Sequence, residues 1–129
     1  MGYSIPAAIG AKFADPGKAV VAVCGDGAFQ MQMMELGTIC QNDVDIKIVV
    51  MKNNKLGLVK EIQKNSYKNN EIAVDLTGSP DITAIARAYG IPARSIDSMD
   101  AAEEGIAEML GHKGAYLLEC VVDEDEPSM

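Results

Sequence analysis

Two short polar segments interrupt the apolar sequence where chemistry is easiest to build: Gly25-Asp26-Gly27 and Lys52-Asn53-Asn54. A carboxylate and a carboxamide are hard oxygen donors. With a backbone carbonyl they make a set suited to Mg²⁺, leaving positions for phosphate oxygens. Glycine on each side of Asp26 permits a sharp turn and the close approach of a bulky anion, and amides opening the next helix add to a phosphate site. Each segment alone is a weak signal, because Gly-Asp-Gly is also an ordinary turn and Asn-Asn is weaker still. Their joint placement carries more weight, since each follows a strand-like run and one helix-like segment lies between them. On pattern alone, a metal–phosphate clamp and a pair of ordinary turns stay equally open. Other phosphate motifs fit poorly: a dinucleotide fingerprint needs glycine near position 30, which is Gln30, and the Gly-Lys-Ser/Thr of a Walker loop is absent.

The elements that must position these residues alternate between strand and helix. Residues 5–14 read as a helix, with Pro6 acceptable in the first turn. Residues 15–18 read as a turn, and 19–24 as a strand buried on both faces. A helix is predicted over 29–41, with Met33, Leu36, Gly37 and Cys40 on one face, then a second buried strand over 46–51. A polar loop (52–57), a short amphipathic stretch (58–63) and an irregular polar segment (64–79) follow. Asp81 is the expected N-cap of a helix that runs to Tyr89 and stops at Gly90. A strand over 93–96, a helix over 101–110 capped by Ser98 or Asp100, and a strand over 115–122 complete the chain. The alternation predicts an α/β three-layer sandwich, a mostly parallel sheet with helices on both faces. No repeat or domain boundary is visible, so 1–129 reads as one domain. In such sheets ligands bind beyond the carboxyl ends of strands, where both polar segments fall.

Composition narrows the function classes. The net charge of −8 argues against nucleic acid and anionic membrane surfaces as partners. The acidic run Asp123-Glu124-Asp125-Glu126 reads as a solvated tail. Cys24, Cys40 and Cys120 are widely spaced among apolar residues and read as buried, reduced thiols of a cytoplasmic protein. No run is long enough for a membrane span, and the start lacks the basic region of a signal peptide. His112 falls in a surface turn, Glu35 in a helix with local hydrogen bonds, and Glu103, Glu104 and Glu108 on a solvated helix face. The methionines of 31–34 read as core filler rather than a binding surface.

Asn53 follows Asp26 by 27 positions. This spacing of Gly-Asp-Gly and asparagine resembles the signature of thiamine-diphosphate enzymes. Met1-Gly2-Tyr3-Ser4-Ile5-Pro6-Ala7-Ala8-Ile9-Gly10-Ala11 resembles the MGxGLPAAIGA segment of acetolactate synthase large subunits. Gly25-Asp26-Gly27-Ala28-Phe29-Gln30-Met31 is similar to their GDGxFQM, and Leu56-Gly57-Leu58-Val59-Lys60 to their LGMVR. The resemblance covers essentially the whole chain and implies the C-terminal thiamine-diphosphate-binding domain of such an enzyme. It implies Mg²⁺ on the Asp26 carboxylate, the Asn53 amide oxygen and the Lys55 carbonyl. It implies the diphosphate against Gly25, Gly27, Ala28 and Phe29, with backbone amides from the last three. Met1 would prop the bent cofactor, with Leu56, Gly57 and Leu58 beside it. Aligned on Leu56-Gly57, the family's asparagine pair falls on Lys52 and Asn53, so Lys52 departs from it and Asn54 lies one step beyond. Leu58 stands where methionine is usual, and Ile62 where many members have tryptophan.

The implied activity is that of a 2-oxo-acid decarboxylating carboligase, acetolactate synthase above all, which joins two pyruvates into 2-acetolactate with loss of CO₂ in branched-chain amino-acid biosynthesis. Sulfopyruvate, indolepyruvate and oxalyl-CoA decarboxylases share the clamp and remain alternatives. Any FAD would belong to the full enzyme, not to this domain. The glutamate that protonates the aminopyrimidine comes, in the family, from a pyrimidine-binding domain on the same or another chain. This chain is therefore expected to be a fragment or one subunit of a split enzyme, inactive alone and part of a homo-oligomer, and to end at Glu126-Pro127-Ser128-Met129, where members continue into a covering tail. Met1, Ile5, Leu56 and Leu58 are the residues expected to face the partner. Two other classes compete. A receiver module would need an acidic pair after its first strand, which is absent; a non-catalytic domain that has lost cofactor binding is kept open by Lys52.

Overall fold

A computed structural model describes residues 1–125. Among these, four parallel strands, β1 (Val21–Gly25), β2 (Lys47–Lys52), β3 (Ala93–Ile96) and β4 (Tyr116–Val121), form one sheet in the order β1-β2-β4-β3. The helices around them are α1 (Ser4–Ala14), α2 (Asp26–Gln30), α3 (Glu35–Gln41), α4 (Gly57–Ser66), α5 (Ile82–Ala88) and α6 (Met99–Gly111). Helices lie on both faces of the sheet, as the alternation predicts.

One face carries the larger core. Ala22 and Cys24 of β1, Ile48 and Val50 of β2 and Leu117 of β4 pack with Ile5, Ala8 and Ile9 of α1, Leu36 and Ile39 of α3, and Ile82 and Ala86 of α5. Burying one such large aliphatic side chain stabilises the fold by about 1.5–3 kcal/mol. On the other face Ile96, Tyr116 and Leu118 pack against Met109 of α6. Gly105 lets α6 come close, because a Cβ there would lie 3.1 Å from Ile96 Cγ2 and 3.3 Å from Leu118 Cδ1.

Several expectations need correction. β1 is not buried on both faces: it is an edge strand, and Val21 and Val23 are exposed because α6 covers the β4–β3 half of their face. The helix expected over 29–41 is two helices, with the first beginning at Asp26 itself. Across the break the amides of Gln32, Glu35, Leu36 and Gly37 donate to the carbonyls of Phe29, Gln32, Met33 and Met34, each to the residue three places back. The restart turns Leu36 and Ile39 inward and leaves Met31, Met33, Met34 and Cys40 exposed, so these methionines are not core filler and Cys40 is not a buried thiol; Cys120, on β4, is only partly buried. Gln32 is buried in the break, where its Oε1 accepts the Ile5 amide (3.0 Å) and its Nε2 donates to Ser4 Oγ (3.0 Å). It thus supplies the cap that α1 lacks locally.

The irregular segment is shorter than 64–79, because α4 runs to Ser66. Asp81 caps α5 through its carboxylate, accepting from the Ala84 amide at 2.9 Å. α6 starts at Met99, with Ser98 at the N-cap but making no side-chain cap bond. Glu104 and Glu108 are not simply solvated: both pair with Arg94 of β3 at 2.7 Å, and Glu108 also accepts the Tyr116 hydroxyl at 2.7 Å. Glu124 and Asp125 are tied to lysines rather than free in solvent. Glu126, and with it the end at 126–129, lies outside the described residues.

Candidate cofactor site

β1 and β2 run in parallel register, with Gly25 beside Met51, so their carboxyl ends open at one edge. There the chain leaves β1 straight into α2 and leaves β2 into the loop 53–56. A cavity of about 520 Å³ lies between them, within the usual range for small-molecule sites. Ten of the eleven residues implied by the resemblance line it: Met1, Gly25, Asp26, Gly27, Ala28, Asn53, Lys55, Leu56, Gly57 and Leu58. Phe29 does not; its ring is fully buried in the core under α2. Asn54 and Lys52 do not line it either.

Asp26 is only 2% exposed. Its Oδ1 accepts the Gly27 amide at 2.8 Å and its Oδ2 the Asn54 amide at 2.7 Å, so one carboxylate ties the two loops together. Burial pushes its pKa up, against the opposing pull of the Asn54 and Gly27 amides and the Lys52 charge. A divalent cation beside this buried carboxylate would favour its charged form. Asn53 Oδ1 accepts the Lys55 amide at 3.0 Å, which holds the carboxamide beside the backbone of its own loop. Asn54 adopts φ +55, a left-handed conformation that asparagine tolerates, and this turns its amide toward Asp26.

The loops fit so closely that a Cβ on Gly27 would fall 2.7 Å from Leu56 Cδ2 and 3.2 Å from Leu76 Cδ1. A larger residue at position 27 would therefore force the Leu56 and Leu76 side chains to shift. The oxygen donors, one carboxylate, one carboxamide and backbone carbonyls, fit a hard cation such as Mg²⁺. Among the described residues no group of three His, Cys, Asp or Glu gathers to hold a metal.

Lys52, the departure from the asparagine pair, turns away from the cavity. Its ammonium lies 3.2 Å from Glu119, a buried carboxylate that also accepts the Ser95 hydroxyl at 2.8 Å. The substitution thus removes no donor from the cavity lining. Sequence reasoning missed five lining residues: Val23, Cys24, Met51, Val59 and Val122. Alternation along β1 and β2 would have suggested Val23 and Met51, had those runs not read as buried on both faces. Burial pushes the Cys24 thiol's pKa up and the Asp26 charge adds to this, against the opposing pull of a hydrogen bond with Ser4. His112 stacks obliquely on Tyr116, with ring centres 5.4 Å apart, at the far end of β4.

Residues 1–120 match the family model described as thiamine pyrophosphate enzyme, C-terminal TPP binding domain. The chain belongs to that family. This thiamine-diphosphate-enzyme domain is 38% identical over 126 residues to the acetolactate synthase isozyme 2 large subunit of Escherichia coli K12, covering 98% of this chain and 23% of that protein. It is 39% identical over 126 residues to a probable acetolactate synthase large subunit of Methanocaldococcus jannaschii, again over 98% of this chain and 21% of the relative. Among solved structures it superposes on the thiamine diphosphate-dependent 4-hydroxybenzoylformate decarboxylase of Rhodococcus jostii RHA1. The TM-score is 0.89 at 22% identity, over 98% of this chain and 24% of that one, a likeness of fold. The domain spans less than a quarter of the length of these proteins. Among the described residues no helix is long and apolar enough to cross a membrane.

Proposed function

We propose that this domain binds thiamine diphosphate through Mg²⁺ and forms one half of the active site of a 2-oxo-acid decarboxylating carboligase of the acetolactate synthase kind. The observation that carries the reading is the convergence of Asp26, Asn53 and Lys55 on one cavity at the ends of β1 and β2. The similarity to acetolactate synthases over nearly the whole domain supports the choice among carboligases.

In this reading Asp26 and Asn53 hold the metal through side-chain oxygens and Lys55 through its carbonyl. The Ala28 amide faces the diphosphate beside the Gly27 backbone, whose own amide is taken by Asp26 Oδ1. Met1, exposed at the cavity rim, supports the bent cofactor, and Leu56 and Leu58 enclose its far side and exclude water. Bound thiamine diphosphate supplies the electron sink for loss of CO₂ from a 2-oxo acid. The protein supplies binding, orientation and an apolar wall. The aminopyrimidine's glutamate partner comes from a pyrimidine-binding domain, on the same or another chain of an oligomer in the cytoplasm.

The test is an assay of the domain together with a pyrimidine-binding domain of this family, given pyruvate and 2-oxobutyrate. Release of CO₂ with formation of an acetohydroxy acid is expected. Release of CO₂ with aldehyde as the only product would move the domain to a simple decarboxylase, and no turnover with either acid would remove the carboligase reading.

A further inference from the structure

The loop 53–57 is fastened by its own side chains to two distant segments. Its backbone is paired with 74–76: the Leu56 amide donates to the Val74 carbonyl (2.8 Å) and the Leu76 amide to the Asn54 carbonyl (2.9 Å), around a Lys55–Asp75 bridge. The strand end is paired too, with the Val122 amide on the Lys52 carbonyl at 3.0 Å. At the centre lies the Lys55 ammonium. It pairs with Asp75 and, at 3.1 Å, with Glu124. The Lys55 side chain is 14% exposed while both carboxylates are more than half exposed. One turn into α4, Lys60 repeats the arrangement, with Asp125 at 2.7 Å and the Glu124 carbonyl at 3.2 Å.

We propose that Lys55 is a positioning residue: its ammonium, shared by Asp75 and Glu124, locks the 53–57 loop in the conformation that offers the Asn53 amide and the Lys55 carbonyl to the metal. The proposal rests on the cofactor reading given above. One residue then has two duties, offering its carbonyl to the metal and clasping with its side chain the segments that carry Asp75 and Glu124. The Asx-type bond from the Lys55 amide to Asn53 Oδ1 couples the two, because any shift of the Lys55 backbone carries the Asn53 carboxamide with it. Leu56 against Gly27 and the buried Val74 anchor the same loop by packing, so losing the ammonium loosens it without unfolding the domain. A single exposed ion pair contributes little to stability, but here two pairs meet on one shielded ammonium, and the consequence falls on a ligand geometry rather than on the fold.

The test uses the chain as it stands, titrated calorimetrically with thiamine diphosphate at saturating Mg²⁺, alongside hydrogen exchange at the Leu56 and Leu76 amides without ligand. Lys55→Met should weaken binding about five- to tenfold, and Glu124→Gln, at an exposed position that folds safely, about two- to fivefold, in line with one or two partly exposed pairs. Lys55→Arg should restore most of the affinity, which a purely apolar or steric role would not allow. Exchange at Leu56 and Leu76 should quicken in Lys55→Met and return toward the wild-type rate in Lys55→Arg. Wild-type affinity in both Lys55→Met and Glu124→Gln, or unchanged exchange at both amides, would overturn the proposal while leaving the cofactor site standing. A wild-type chain that binds no cofactor would instead overturn the reading of the site, and the positioning role with it.

Discussion

Asp26 and Asn53 stand out in the sequence because glycines and a strand end make them conspicuous, and both line the cavity. The roles of their neighbours were not legible. Nothing in Lys52-Asn53-Asn54 reveals that the left-handed turn at Asn54 sends its amide to Asp26, or that Lys52 leaves for Glu119. Those facts depend on strand register and on partners 28 and 67 residues away. Asn53→Ala should weaken cofactor binding far more than Asn54→Gly, because the first removes a carboxamide from the cavity and the second keeps the φ +55 backbone at little cost. Asn54→Ala would add left-handed strain of about 1 kcal/mol and so confuse the comparison. Titration of the two variants checks this, and a larger loss from Asn54→Gly would shift the ligand register by one residue.

The helices and strands were largely legible from period and capping, and failed where tertiary contacts overruled local pattern. The break between α2 and α3 is one case: the 29–41 segment has helical periodicity, but the chain there spends Gln32 on the amino end of α1. β1 is another, since a continuous apolar run says nothing about which half of a sheet a single helix will cover. α5 followed its local signal. Its cap gives a direct test: Asp81→Ala should cost about 1 kcal/mol by urea denaturation. The Ala84 amide, then the Thr83 hydroxyl, hold the Asp81 carboxyl below its ordinary value. Its contribution is therefore complete above about pH 4, the value for a free aspartate, and is lost as pH falls through the depressed value. The α6–β4 contact gives the opposite sign. Burial and the Glu108 hydrogen bond push the Tyr116 hydroxyl up to about 12. Stability from this group is present below the ordinary tyrosine value near 10 and is lost as pH rises toward about 12. Ultraviolet absorbance of phenolate should show one of the four tyrosines titrating late, and Tyr116→Phe should remove that late phase.

For the whole molecule, the expected partner face survives in part. Met1 and Leu58 are 72% and 54% exposed at the cavity rim, and Leu56 is half-buried. Ile5 is not available: its side chain is fully buried at the start of α1, because the Gln32 cap draws that turn into the core. Val21 and Val23 add exposed apolar surface along the edge strand, which a parallel sheet does not usually leave bare. Such patches tend to find another surface, and a symmetric dimer is the commonest result. The chain should therefore self-associate at micromolar concentration despite its charge of −8, since repulsion is screened over roughly 8–10 Å at physiological salt. Sedimentation over a concentration series measures it. A strictly monomeric chain at high concentration would show that this exposed apolar surface does not drive association.

We propose that the ends of β1 and β2 hold a metal-linked diphosphate. Calorimetric titration of the chain with thiamine diphosphate, with and without Mg²⁺, tests it most directly, with Asp26→Ala run in parallel and its fold checked by circular dichroism. Saturable binding that requires Mg²⁺ and disappears in the folded Asp26→Ala chain is expected. Binding that is absent in the wild type, indifferent to Mg²⁺, or unchanged in Asp26→Ala would contradict it.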